Sequence, residues 1–444
     1  MLLIFLLLAA VFLIVYSTTR WSLHPFLALL FVAILFGLIS GMPVQTLLTS
    51  INEGFGSLLG NIGLVIVLGV IIGTFLEKTG AAVRLAASML KLTGEKRVPE
   101  SLALMGWVIS IPVFADSGFV ILSSLTKALT KRVGLSIGVT AVCLAMGLMA
   151  THTMVPPTPG PIAAASILGA ELGLVIIYGI QASLFALIPT VFFAKKYFAH
   201  IQVAEDTSSN HTDFDTTLKT APSLVKSLIP VLIPLVLIVI KSFNTYYQWS
   251  SAGRLFDTIE FLGTPVIALL IGMLLAFLLP KKMEKTMLSS SGWVGQSLLD
   301  AASIVLITGA GGVFGKVLQN AGLGSVLGEV LADYPVGIFL PFLLSAAIKS
   351  AQGSSTVAMI TTASIIAPLL PSLGLDSPLA AALVVLALGA GGAVFSHVND
   401  SFFWVVTQLT GMNISQGLRT HSRASAILGF SAFVYIFLVW LFFV

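Results

Sequence analysis

Five ionisable side chains lie inside long apolar runs, where the sequence offers them little water: Asp116, Lys349, Asp400, His152 and His397. Charge at membrane depth is costly, so such groups are functional candidates by default. Their neighbours are small and polar. Ser117 and Gly118 follow Asp116, and Thr151 precedes His152, with Thr158 in the proline run beyond. Gln352, Gly353, Ser354, Ser355 and Thr356 follow Lys349, and Asn399 and Ser401 flank Asp400. Hydroxyls, amides and unpaired N–H groups at a helix start suit a carboxylate, because the helix dipole is positive there. Asp116 and Asp400 are read as proton-coupling residues and the others as substrate-binding, with Lys349 as a counter-charge. Each has a plainer reading too. Asp400 could cap a half-helix, Lys349 could neutralise an aspartate, glycines could close-pack at turns, and the histidines could bond to backbone at helix breaks.

Other chemistries find little support. Neither histidine belongs to a ligand-spaced cluster, and the one cysteine, Cys143, has no partner for a disulfide or a cysteine metal site. No nucleophile–base set and no nucleotide-binding loop is present, which argues against an enzyme or an ATP-driven pump. No cofactor is expected; the coupling ion would be a proton.

The elements that must position these residues are membrane spans. The 444-residue chain is 57% hydrophobic and 9% charged, with mean hydropathy +1.05, whereas a soluble protein carries about 25% charge. Its net charge of +4 is scattered over short loops, so nucleic acid is not an expected partner. Met1 to Tyr16 lacks a basic leader and is read as a retained first span. Runs near the roughly 20 residues needed to cross a bilayer fall at 2–19, 23–41, 58–76, 134–170, 172–194, 227–243, 260–279, 294–318, 379–410 and 424–443. Two of these are broken, 134–170 at 151–160 and 379–410 at 396–401. Two more apolar segments are interrupted in the middle: 101–126 at Phe114–Gly118, and 336–370 at Lys349–Thr356.

Charge separates these last two from ordinary spans. Lys91, Lys96 and Arg97 precede 101–126, and Lys127, Lys131 and Arg132 follow it. Short cytoplasmic loops concentrate Lys and Arg, so both ends should face the cytoplasm, as in a re-entrant hairpin. Its half-helices, about 14 residues each, rise roughly 21 Å and bring Asp116 deep into the bilayer without crossing it. The partner 336–370 has no basic flank and should open outward. Ten spans and two hairpins place on the cytoplasmic side all 22 basic residues except Lys241, Arg254, Lys316 and Lys349. Both termini then face outward.

The expected fold is an all-α polytopic membrane protein built as an inverted repeat of two five-span halves. Each half carries one re-entrant hairpin and one broken helix. The first repeat covers 1–194, a cytoplasmic linker 195–226, and the second repeat 227–444. Gly73-Thr74-Phe75-Leu76 with Gly80 echoes Gly315-Lys316-Val317-Leu318 with Gly322. Paired helix breaks in corresponding halves point to a secondary transporter with its site near the midplane. A homodimer is compatible with this plan.

Four motifs together resemble the gluconate permease (GntP) family of bacterial proton-coupled carboxylate transporters. They are Asp116-Ser117-Gly118, Thr151-His152 with Val155-Pro156-Pro157-Thr158-Pro159-Gly160-Pro161, Ala351 to Ala358, and Ser396 to Ser401. The resemblance runs over nearly the whole chain. It implies a multi-pass protein of the bacterial inner membrane that takes up gluconate or a related small hydroxylated monocarboxylate with a proton. In the gluconate branch a Glu-Val pair is expected at the first tip and a histidine within the proline run. Asp116-Ser117 and Thr158 stand there instead, which leaves D-glycerate and D-serine open as substrates. A cation/proton antiporter is the alternative of another class, disfavoured because only Asp116 and Asp400 are convincing midplane carboxylates.

Overall fold

A computed structural model describes all residues except 1, 94–96, 200, 202–213, 248–252, 324–325, 327–336 and 399. Every regular element among the described residues is helical. α1 (Leu2–Arg20) and α2 (Pro25–Ile39) lead into α3 (Val44–Lys78), a helix of 35 residues. α4 (Ala81–Thr93) precedes a helix pair, α5 (Val98–Ile109) and α6 (Ala115–Val133). α7 (Ile137–Met154), α8 (Pro159–Leu168) and α9 (Leu172–Tyr197) follow. After α10 (Phe214–Thr220) come α11 (Leu224–Tyr247), α12 (Arg254–Leu262), α13 (Pro265–Ala276) and the 28-residue α14 (Trp293–Asn320). A second pair, α15 (Phe339–Gln352) and α16 (Ser355–Ile366), precedes α17 (Pro378–Ala393) and α18 (Ser401–Thr410). A short turn of helix and a π-helical turn, Leu418–Ser422, run into the last helix, α19 (Arg423–Phe443).

The same succession of long helix, helix pair and broken helix thus occurs twice, and its packing recurs. α5 lies on α7 as α15 lies on α17, while α13 packs on α3 and α2 on α14. Both long helices end alike, with left-handed Gly80 (φ 74°) and Gly322 (φ 76°) just past them. Only glycine adopts this conformation freely, and it closes the exposed carbonyls of a last turn. The sequence echo between Gly73 and Gly315 falls at matching places in these two helices.

α7 and α17 form the centre: every residue of α17 from Ala380 to Ala393 is buried, as is nearly all of α7. Their breaks have local causes. Pro156 and Pro157 lack N–H donors, and a residue before proline is pushed out of the helical region. Val155 is accordingly extended (φ −121°, ψ 116°), and α8 restarts with Pro159 in its first turn. α17 stops at extended Val394, Phe395 takes φ 51°, and Asp400 caps the restart by accepting the Phe402 N–H at 3.0 Å.

Several expected bounds move. The first span of the long pair begins at Val44 rather than 58, because Gln45 to Asn52 hides helix under polar residues. Helix α7 runs through Thr151 and His152, so that break is confined to 155–158. The 114–118 break shifts to 110–114, with Asp116 and Ser117 already in the first turn of α6, and the 349–356 break shrinks to Gly353-Ser354. The 195–226 linker is partly helical and anchored. Arg84 on α4 donates to the Leu218 and Pro222 carbonyls at 2.9 Å each. Among the described residues, five helical segments, α7–α8 counted as one, are long and apolar enough to cross a membrane, and up to seven if two bent pairs each count as one span. The three further spans in the expected ten correspond to α1, α2 and α17, which are shorter apolar helices.

Candidate functional site

The starts of α6, α16 and α18 meet around a cavity of about 600 Å³. Its wall is formed by Phe114 to Ser117, Met149 and His152 of α7, Asp300 of α14, Gln352 to Thr356, and Asp400 to Phe402. The start of α8 backs onto it, since a Cβ on Gly160 would lie 3.7 Å from Thr356 Cα. The first N–H groups of any helix lack intrahelical acceptors. Several helix starts aimed at one polar space therefore favour an anion.

The second tip is shaped by backbone geometry. Gly353 is left-handed (φ 90°), and the Ser354 hydroxyl accepts the Val357 N–H at 3.3 Å as the cap of α16. Ser355 and Thr356 also face the cavity. Both polar atoms of the Gln352 amide are buried and lack a hydrogen-bond partner among the described residues, as does His152 Nδ1. Buried polar groups are normally satisfied, so donors and acceptors left free in a cavity wall suit a polar ligand. Gly353→Ala should strain this tip by about 1 kcal/mol or more. Both a lower thermal midpoint and weaker ligand protection against unfolding are the expected readouts.

Lys349 does not face the cavity. Its side chain is 1% exposed, and Nζ lies 2.5 Å from Asp400 Oδ2 and also donates to the Gly353 carbonyl. The plainer readings of this pair therefore describe its geometry: Lys349 neutralises Asp400, and Asp400 caps α18. Asp116 differs, because among the described residues it makes no ion pair. Its side chain accepts a hydrogen bond from Ser401 Oγ at 3.4 Å, which links the first helix pair to the second broken helix.

The remaining candidates divide clearly. Ser117, His152, Gln352, Gly353, Ser354, Ser355, Thr356 and Ser401 join Asp116 and Asp400 at the wall. Gly118 lies beneath it against Leu148. Thr151 donates to the Trp107 carbonyl at 3.0 Å, Thr158 to the Val155 carbonyl at 2.6 Å, and His397 Nε2 meets the Ser350 carbonyl at 2.9 Å. These three sit outside the cavity, bonded to backbone. Asn399 lies outside the described residues. Asp300 was not among the site residues read from the sequence, and it lines the cavity. Ser396 and His421 were not among those residues either, and both are buried behind Asp400. His421 was hidden within Arg419 to Arg423, a stretch that reads as the basic flank of the last span.

Solved membrane transporters share this architecture. A crystal structure of the YdaH transporter of Alcanivorax borkumensis superposes with TM-score 0.67 at 17% identity, covering 95% of this chain and 99% of that one. That likeness shows the fold of a multi-pass helical membrane protein. The GntP family permease model matches residues 1–442, and the chain belongs to that family. It is 34% identical over 440 residues to a gluconate permease of Pseudomonas aeruginosa, covering 95% of this chain and 94% of the relative. The D-serine transporter DsdX of Escherichia coli K12 is 31% identical over 436 residues, with 95% and 94% covered. Family and helices together make this an inner-membrane protein.

Proposed function

We propose that the protein is a proton-coupled secondary transporter that takes up gluconate or a related small hydroxylated monocarboxylate. The observation that carries this reading is the unpaired Asp116 facing the Gly353–Thr356 cradle across one cavity. The substrate carboxylate would be held at the start of α16 by N–H groups and the Ser354–Thr356 hydroxyls. Gln352 and Ser401 would take sugar hydroxyls, and Asp116 would carry the proton. The buried Lys349–Asp400 pair supplies a fixed scaffold. Supporting the architecture behind this, the two halves repeat one succession of elements, and the basic residues fit inversion of the second half, with α5–α6 and α15–α16 re-entrant from opposite sides. The first repeat is 1–194 and the second 227–444, joined on the cytoplasmic face, with both termini outside.

Purified protein in proteoliposomes tests the proposal. Labelled gluconate should accumulate when the outside is made acidic, and a protonophore should abolish accumulation. Uptake that persists without a proton gradient overturns the coupling. The gluconate permease relative favours a sugar acid, whereas Asp116 could equally meet the ammonium of a substrate like that of the D-serine transporter. Competition by D-glycerate and D-serine therefore accompanies the assay. Sodium-driven proton flux without organic substrate would instead indicate an antiporter.

A further inference from the structure

The buried ion pair does not end at Asp400. Asp400 Oδ2 also accepts a hydrogen bond from Ser396 Oγ at 2.5 Å, and Ser396 Oγ lies 2.9 Å from His421 Nε2. A carboxylate only accepts, so the Ser396 hydroxyl proton points to Asp400. The Ser396 oxygen then has only lone pairs to offer, and His421 must carry its proton on Nε2. Nδ1 is left as a bare acceptor, buried and without a partner among the described residues.

The histidine is held in place from several sides. It is fully buried, with the Phe402 and Phe403 ring centroids 5.5 and 5.9 Å away and both rings edge-on. It rides on the π-helical turn Leu418–Ser422, a form that favours functional sites. From the same region the Ser422 hydroxyl donates to the Ser396 carbonyl at 2.6 Å, and the Ser425 hydroxyl accepts the Ser396 N–H at 3.0 Å. Ser396, in the middle of the α17–α18 break, is thus bonded through its side chain and both backbone groups.

We infer that His421 is a positioning residue for transport. Acting through Ser396, it fixes the Asp400 carboxylate toward Lys349. Because Lys349 also grips the Gly353 carbonyl, His421 keeps the α16 cradle in register with the start of α18. This inference rests on the transport reading above and adds a residue with no contact to the cavity.

Two substitutions separate donation from bulk. His421→Gln keeps an N–H donor, whereas His421→Leu fills similar space without one. In gluconate uptake, Leu should lower turnover about tenfold, the effect of losing a hydrogen bond within a charged network, while KM moves little because the cradle keeps its own donors. Gln should recover most of the turnover. If Leu and Gln behave alike, the inference is overturned. A second measurement needs no substrate: thermal midpoints of His421→Leu, Ser396→Ala and the double variant in detergent. Both substitutions cut one chain, so the double should fall little below the worse single. Additive losses would also overturn the inference. If the wild type takes up no hydroxycarboxylate, the substrate reading fails while the thermal cycle still decides the network.

Discussion

Asp116→Asn is expected to yield a folded protein that binds substrate but no longer concentrates it. Asn retains the oxygen that accepts the Ser401 hydroxyl, so the wall of the cavity is preserved. What it lacks is the capacity to take and release a proton. Groups that move a proton in a reaction contribute on the order of 100-fold or more, and a loss of that size in gradient-driven uptake is expected. Exchange of labelled for unlabelled substrate at equal pH requires no net proton movement and should survive. That pair of results distinguishes a coupling residue from a merely structural one. Asp116→Asn protein that accumulates substrate like the wild type would remove Asp116 from the mechanism.

The second large effect concerns the Lys349–Asp400 pair. Removing one member of a buried ion pair leaves the other charge uncompensated and costs about 3–5 kcal/mol. Lys349→Met or Asp400→Asn alone should therefore greatly reduce the yield of folded protein or its thermal midpoint. Asp400→Asn keeps an oxygen to cap α18 through the Phe402 N–H, so its cost is that of the stranded ammonium together with the Ser396 hydroxyl's lost acceptor. The double variant removes both charges together. Replacing a buried pair by neutral groups of similar volume is often nearly neutral in stability, so the double should regain most of the loss. Failure to regain it would mean that the residues act independently, and that the 2.5 Å contact is incidental.

How much of this was legible beforehand follows from what a sequence encodes. Apolar runs and proline-rich interruptions disclose helices and their breaks, because proline removes donors and distorts its predecessor wherever it stands. The Pro156-Pro157 break and the Gly353-Ser354 tip were therefore found to within a few residues. Asp116, Gln352 and the Ser354–Thr356 hydroxyls stand out as polar groups in apolar runs, and they line the cavity. Partner choice was not legible. Lys349 and Asp400 are 51 positions apart and His421 is 25 beyond Ser396, and no local pattern reports which of several ionisable groups will meet. Thr151 and Thr158 lie outside the cavity for a related reason. A threonine in a helix or at a helix break can turn its hydroxyl onto a backbone carbonyl, as Thr151 and Thr158 do here, and composition alone does not say which way it faces.

The self-neutralised pair also has an electrical consequence. Lys349 and Asp400 together carry no net charge through the membrane field, whatever motion their helices make. If Asp116 carries one proton for each monocarboxylate anion, the loaded protein and the empty, deprotonated protein differ by no net charge. A membrane potential acts by about 2.3 kcal/mol per charge per 100 mV, and in this cycle it would cancel between the inward and return steps. The concentration ratio reached should then follow the pH difference alone, and imposing a voltage should leave that ratio unchanged.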